Sequence, residues 1–341
     1  MGVCLKRTYI FLLLFLLLGN PCQLFSEIDD STTSSSDILL NIPQNSTLHS
    51  ISNLLEEKEI IPNAFSFKVL AYITGNSRSL KSGTYSFNGK ENIFDVLNKL
   101  KLGIELLVKV TIPEGYNKWE IYSLLQKSEL SNPGKYIDAE KSTEVVDAVQ
   151  KIFPKVTDTE GLLFPDTYSF SKATLEKDVL IAMIKNFKDR LPNSYFEITV
   201  ENDLTPYEVL TLASIIEKET GNPDERGNIS SVFHNRLRIG YPLATDPTVI
   251  YGIKNFDGNI RKKHLKQKTP YNTYLMKGLT PTPISNPGLE AIHAAMNPLQ
   301  SKYLYFVAKG NGSSYFSKNL QEHNQAVRKY QLNRRKDYRS Y

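Results

Sequence analysis

The chain has 341 residues, room for two domains and a sizeable core, and its charged (23%) and hydrophobic (40%) fractions are those of an ordinary globular protein. The net charge of +5 is mild: it excludes the dense basic stripe of a nucleic-acid binder and suits contact with an anionic polymer or membrane surface. Cys4 and Cys22 both sit at the extreme N-terminus, so no disulfide framework or thiolate metal site exists downstream. The histidines (His49, His234, His264, His293 and His323) show no HExxH or comparable ligand spacing, so no dedicated metal site is expected.

Residues 1–25 read as a targeting segment. Lys6 and Arg7 form a positive flank, and residues 9–18 are an unbroken apolar run shorter than the roughly 20 residues that span a bilayer. No small-x-small cleavage site precedes Ser26, so a cleaved signal peptide and an uncleaved anchor both stay open. Either one exports the rest of the chain, the positive flank keeping the N-terminus inside. Residues 26–38 are polar, low in complexity and expected as a flexible tether.

Residues 39–150 carry a weak internal repeat. Ile42-Pro43 is followed by Ile51, Leu54 and Leu55; Ile112-Pro113 is followed at the same offsets by Ile121, Leu124 and Leu125. Each copy reads as a short strand, a turn and an amphipathic helix. Between them lie a strand over 83–87 and a helix bearing Ile93, Val96, Leu97 and Leu100. Such units resemble LysM modules, which bind glycan chains; a small α+β spacer without a ligand reads equally well.

From 151 to 335 the pattern is richer. Residues 160–170 are turn-rich and aromatic, and 176–191 read as a helix with Val179, Met183, Ile184 and Phe187 on one face. Residues 205–220, TPYEVLTLASIIEKET, form the most informative stretch. Thr205 is an N-cap, Pro206 suits the first helical position, and Glu208 completes a capping box. Val209, Leu210, Leu212, Ala213, Ile215 and Ile216 make an apolar stripe that ends in Glu217 and Glu219 before Gly221. A carboxyl at the edge of a buried stripe is partly desolvated, which raises its pKa and suits general acid work. Helical periodicity does not choose between the two acids. Asn222 to Glu225 reads as a second capping box, whose helix bears Ile229, Val232, Phe233 and Leu237 and would place free N–H groups beside Glu219.

Residues 243–252 read as a loop and an apolar segment, and 269–288 as a long Pro-, Thr-, Asn- and Tyr-rich loop of the kind that carries function. Residues 303–308 read as a strand, 315–317 as its return, 321–330 as a closing helix, and the basic tail 336–341 as frayed.

The stretches EGLLFPDTY (160–168), ASIIEKET (213–220), SVFHNRL (231–237), TDPTVIYG (245–252), PYNTY (270–274), SNPGLEAIHAAMNP (285–298), YLYFVAKG (303–310) and EHN (322–324) together resemble the YceG-like endolytic murein transglycosylases of bacterial cell envelopes. The resemblance implies an α+β fold with an N-terminal membrane anchor, a LysM-like region and a C-terminal mixed α/β lytic transglycosylase domain. It implies cleavage of the β-1,4 bond between N-acetylmuramic acid and N-acetylglucosamine in nascent glycan strands, leaving a 1,6-anhydro end. It also implies a cytoplasmic (inner) membrane location with the catalytic part outside, no cofactor, peptidoglycan strands as substrate and peptidoglycan synthases as partners. The family's catalytic glutamate aligns with Glu219. Glu217 would then support it, paired with Arg236 or Arg226.

Asp246, Asn235, Arg236, Tyr271, Asn272, Thr273 and Tyr274 are candidates for holding the glycan: an aromatic face with amide, hydroxyl and charged groups is what sugar recognition needs. For each, a packed structural role is the competing reading, and for His323 and Asn324 a structural hydrogen-bond pair is favoured over a site. The chain departs from the family pattern at Ala244, where glutamine is usual, at Ser314, where histidine is common, and at Thr280 and Thr282. A hydrolytic muramidase and a silent peptidoglycan-binding scaffold are the competing functions.

Overall fold

The computed structural model describes residues 37–332 apart from Lys90, Glu129, residues 131–132, Ala173, residues 198–203 and Asn255. The apolar segment 1–25, most of the tether and the basic tail therefore lie outside the described residues. Among those described, no helix is long and apolar enough to cross a membrane.

The first unit is built from β1 (Ile38–Ile42), α1 (Leu48–Glu57), α2 (Ala64–Ile73) and β2 (Gly83–Phe87), followed by α3 (Ile93–Leu102). β1 and β2 pair antiparallel with Leu40 opposite Tyr85. Thr47, Asn63 and Asn92 cap the three helices by accepting from first-turn N–H groups. Gly103 closes α3 at φ 72°, a left-handed turn where a side chain would strain the backbone. Leu40, Leu55, Phe67, Phe87 and Leu100 form part of a core that belongs to this unit.

The element order then recurs: β3 (Leu107–Thr111), α4 (Lys118–Lys127), α5 (Pro133–Ala139), α6 (Thr143–Gln150), β4 (Thr167–Ser171) and α7 (Glu176–Arg190). β3 and β4 pair antiparallel with Val110 opposite Tyr168. The aromatic stretch at 160–170 thus supplies a strand as well as turns. The repeat is strand, helices, strand, helix, with one extra helix in the second copy.

The rest is mainly helical: α8 (Pro206–Glu219), a 3-10 turn (Pro223–Glu225), α9 (Arg226–Arg238), α10 (Asp246–Tyr251), α11 (Lys262–Leu265), α12 (Leu289–Met296) and α13 (Leu320–Val327), which runs on into a π turn over Arg328–Leu332. Where a mixed α/β layout was expected, the strands here are one antiparallel hairpin, β5 (Tyr305–Ala308) and β6 (Ser314–Ser317), with Phe306 opposite Phe316.

α8 is the axis of this part. Its capping box forms: Thr205 accepts from the Glu208 N–H and the Glu208 carboxylate accepts from the Thr205 N–H. The expected single apolar stripe is too narrow a description, because every residue from Val209 to Ile216 is buried, Thr211 and Ser214 included. α9, α10 and α12 pack around the helix, so its polar positions are inside as well. Ser214 satisfies itself by donating to Thr211 O and accepting from the Ile284 N–H. One continuous core runs from Val110 to Met296 and takes in side chains on both sides of residue 150.

Candidate active site

α8 delivers Glu217 and Glu219 to its C-terminal turn, and there the structure separates them. Glu219 lines a cleft of about 880 Å³ bounded by α9, α10, the β5–β6 hairpin and α13. It is half-buried, and the Thr245 hydroxyl donates to its carboxylate. Burial pushes the Glu219 carboxyl above its ordinary pKa; the Thr245 hydrogen bond pulls against this, the nearby Asp246 charge adds to it, and Arg236 opposes it. Burial prevails, and a carboxyl that holds its proton is poised to donate it.

Glu217 turns to the opposite side. Its carboxylate accepts from the Gly288 N–H at 3.1 Å, at the N-cap of α12, and lies 3.9 Å from Arg226. Of the two arginines named for it, Arg226 is the neighbour. A Cβ at Gly288 would meet only the end of the Glu114 side chain, which would have to swing aside. Lys218 between the two acids donates to Gly115 O at 3.1 Å and clamps the helix end to the segment before α4.

Thr245 and Asp246 open α10 on the cleft. Asp246 accepts from the Tyr274 hydroxyl at 2.7 Å, which fixes both side chains on one wall. Arg236 also faces the cleft. It donates to Leu304 O (2.7 Å) and Leu243 O (2.6 Å), with its guanidinium 5.1 Å from the centre of the Tyr305 ring and 5.5 Å from that of Tyr241. It therefore ties the hairpin to the loop before α10 and keeps a positive charge on the wall facing Glu219. His323 stacks on Tyr305 at 5.1 Å and completes that wall with Asn324. Ala244, where the family usually has glutamine, is a lining residue in the left-handed region at φ 46°.

The other candidates are spent on structure. Asn235 is 5% exposed; its amide donates to Ser301 O and Tyr303 O. Asn272 is 1% exposed, and its amide donates to the carbonyls of Leu265 and Gln267. Thr273 accepts from the Thr245 N–H and bonds the Thr248 hydroxyl, which supports α10 from behind. Tyr271 packs on Tyr251 at 4.9 Å and bonds Thr282. Of the 271–274 loop, Tyr274 alone lines the cleft. The capping box expected at residues 222–225 is only half made: Asn222 accepts from the Asp224 N–H, but the Glu225 carboxylate crosses to the Ser314 N–H at 2.8 Å, pinning the hairpin to the start of α9. Both Asn222 and Glu225 line the cleft, yet the hydrogen bond to Glu219 comes from Thr245.

Thr245 was passed over in the sequence in favour of its neighbour Asp246; its place as the N-cap of a short helix beginning DPT was the available signal. Glu160 was also passed over. It is fully buried and accepts from the Lys118 N–H, the Tyr251 hydroxyl (2.9 Å) and the Asn286 amide (3.2 Å). Burial drives its pKa up to about 8, against the Tyr251 and Lys118 hydrogen bonds. Tyr251 ends α10, so Glu160 anchors the far end of the helix whose near end carries Thr245. Among the described residues no cluster of His, Cys, Asp and Glu could hold a metal ion.

The fold and cleft place the chain in a known class: the YceG-like family matches residues 40–329, and the chain belongs to it. The chain is 34% identical to a Bacillus subtilis protein named endolytic murein transglycosylase, over 89% of this chain and 86% of that one. A Streptococcus pneumoniae protein of the same name is 29% identical over 91% of this chain, which spans 61% of that longer relative. The crystal structure of a yceG-like protein from Listeria monocytogenes superposes with a TM-score of 0.59 at 32% identity, covering 85% of this chain and 98% of that one.

Proposed function

We propose that the chain is an endolytic murein transglycosylase, which cuts the β-1,4 bond from N-acetylmuramic acid to N-acetylglucosamine within glycan strands and so ends their growth. The observation that carries this is the Glu219 carboxyl, held by Thr245 in an open cleft with its pKa raised by burial. Glu219 donates its proton to the bridging oxygen as the bond to the muramyl C1 breaks. The sugar's own 6-hydroxyl then closes on C1, and the Glu219 carboxylate takes that hydroxyl's proton. One carboxyl serves both steps, no water is consumed, and the product is a 1,6-anhydro end. Asp246, held by Tyr274, supplies negative charge beside Glu219 that favours the protonated acid and the cationic transition state.

The presence of Asp246 on the same cleft favours one second reading, a hydrolase with Asp246 activating water. Product chemistry separates the two: an anhydro end supports the lyase and a free reducing end the hydrolase.

The βααβ order of the first unit supports reading it as LysM-like and glycan-binding. The apolar run at 9–18 supports tethering at the cytoplasmic membrane with the cleft outside, beside the synthases that extend the strand. Carbonate extraction of membranes would test the tether: release of the chain into the soluble fraction rejects it.

A further inference from the structure

We propose that a second groove, away from the Glu219 cleft, grips the acidic glycan strand a few sugars from the scissile bond; this rests on the function proposed above. The groove, about 610 Å³, lies between α4 and the loop after α10, with Tyr116, Trp119, Phe256, Ser123, Lys127 and the acidic Glu120 among its walls. Trp119 is 49% exposed. The Lys118 ammonium lies 4.6 Å from the ring centre, and Tyr122 meets the ring edge-on at 6.1 Å. Lys118 is itself fixed by Glu140 (2.8 Å) and Asp158 (2.9 Å), so the indole is braced while much of it stays open. A large aromatic held rigid on an open groove among small polar groups is a surface on which the C–H face of a pyranose stacks and its hydroxyls hydrogen-bond.

Within the groove Glu120 offsets Lys127, so selection by charge falls to the segment around Phe256. Phe256 meets His264 edge-on at 6.5 Å. The segment around them exposes Lys254, Lys262, Lys263, Lys266 and Lys268, while its acid, Asp257, is paired with Arg261 at 2.5 Å. A glycan carrying stem-peptide carboxylates meets that field favourably. Groove and cleft are joined through short, tied segments. Tyr116 follows Gly115, which holds Lys218 next to Glu219. Phe256 lies just beyond α10, whose first residue, Asp246, lines the cleft. Two sites on one polymer raise the effective concentration of strand at the cleft without a new contact there.

Trp119 is the chain's only tryptophan, so its emission reports on the groove and not on the cleft. Soluble, uncross-linked glycan strands bearing stem peptides are titrated into the full-length Glu219→Gln chain, and retention of strand is followed separately by ultrafiltration. The expected result is a saturable change in emission, with the apparent Kd raised about fivefold or more by Phe256→Ala and by the surface change Lys127→Glu. Strand retained with unchanged emission, or an unchanged Kd in both variants, would overturn the groove. Neutral chitin oligomers of equal length binding as tightly would overturn its assignment to an acidic strand. Cleavage of the same strands by the unaltered chain reads the proposed function independently: cleavage without an emission change sinks the groove alone.

Discussion

Two glutamates two positions apart on α8 meet different surroundings, and the chemistry follows from that. Glu219→Gln keeps the size and the Thr245 contact but removes the transferable proton. Glycan cleavage should fall by about 10²–10⁴-fold, with circular dichroism and Tm close to those of the unaltered chain. Glu217→Gln weakens a charge-assisted bond to the Gly288 N–H and should lower stability by about 1 kcal/mol while activity stays within about tenfold; chemical denaturation and a turnover assay together check both. Because Glu219 must be protonated to act and burial holds its pKa above the ordinary range, kcat should fall as pH rises through that raised value. A pH–rate profile whose alkaline limb survives in Asp246→Asn without moving to lower pH would contradict the part given to Asp246. Helical periodicity left the two acids tied. What separates them, Gly288 and Thr245, lies 71 and 26 residues away along the chain, and no local pattern reports contacts at that range.

Among the elements, α10 positions the site because it is held at both ends: Thr245 and Asp246 at the cleft, Tyr251 on buried Glu160. Glu160 has a folded pKa of about 8, above the roughly 4.3 of an unfolded glutamate, so between those values the folded state binds more protons. Its contribution is complete below the lower value and is lost as pH rises through the upper one. Glu160→Gln cannot ionise. It turns an amide N–H₂ toward donors and should cost about 2 kcal/mol at pH ~5, with the deficit closing and then reversing as pH approaches ~8; Tm measured against pH for both chains checks this. Asn286→Ala strips partners from Tyr116 O, the Leu163 N–H and Glu160 at once and should cost about 3 kcal/mol in denaturant.

The elements that local chemistry dictates were legible in the sequence: the Thr205–Glu208 capping box, the strand and return at β5–β6, and the repeated strand-and-helix order. The polar groups of residues 271–274 were less so. A Tyr-Asn-Thr-Tyr run looks alike whether it faces a cleft or closes a loop, and the carbonyls that absorb Asn272 come from a fold no short window contains.

At the scale of the molecule, the chain passes from one hydrophobic core to the other through a connection, residues 103–106, that exposes Ile104 and Leu106. Since the first unit fills its own core, limited proteolysis between the tether and the basic tail should cut first in this connection and leave two resistant pieces; a first cut elsewhere within that span would contradict two separately packed units. The second repeat shares its core with α8 and α12, so it is fixed to the cleft in a way the first is not. That arrangement lets one hydrophobic core support both the acid and the groove beside α4.

The most direct test of the account is mass spectrometry of the fragments that the full-length chain releases from nascent glycan strands. We expect muramyl ends in the 1,6-anhydro form, one water lighter than a reducing end, and release from Glu219→Gln lower by about 10²–10⁴-fold. Reducing ends, or undiminished release by Glu219→Gln, would contradict it.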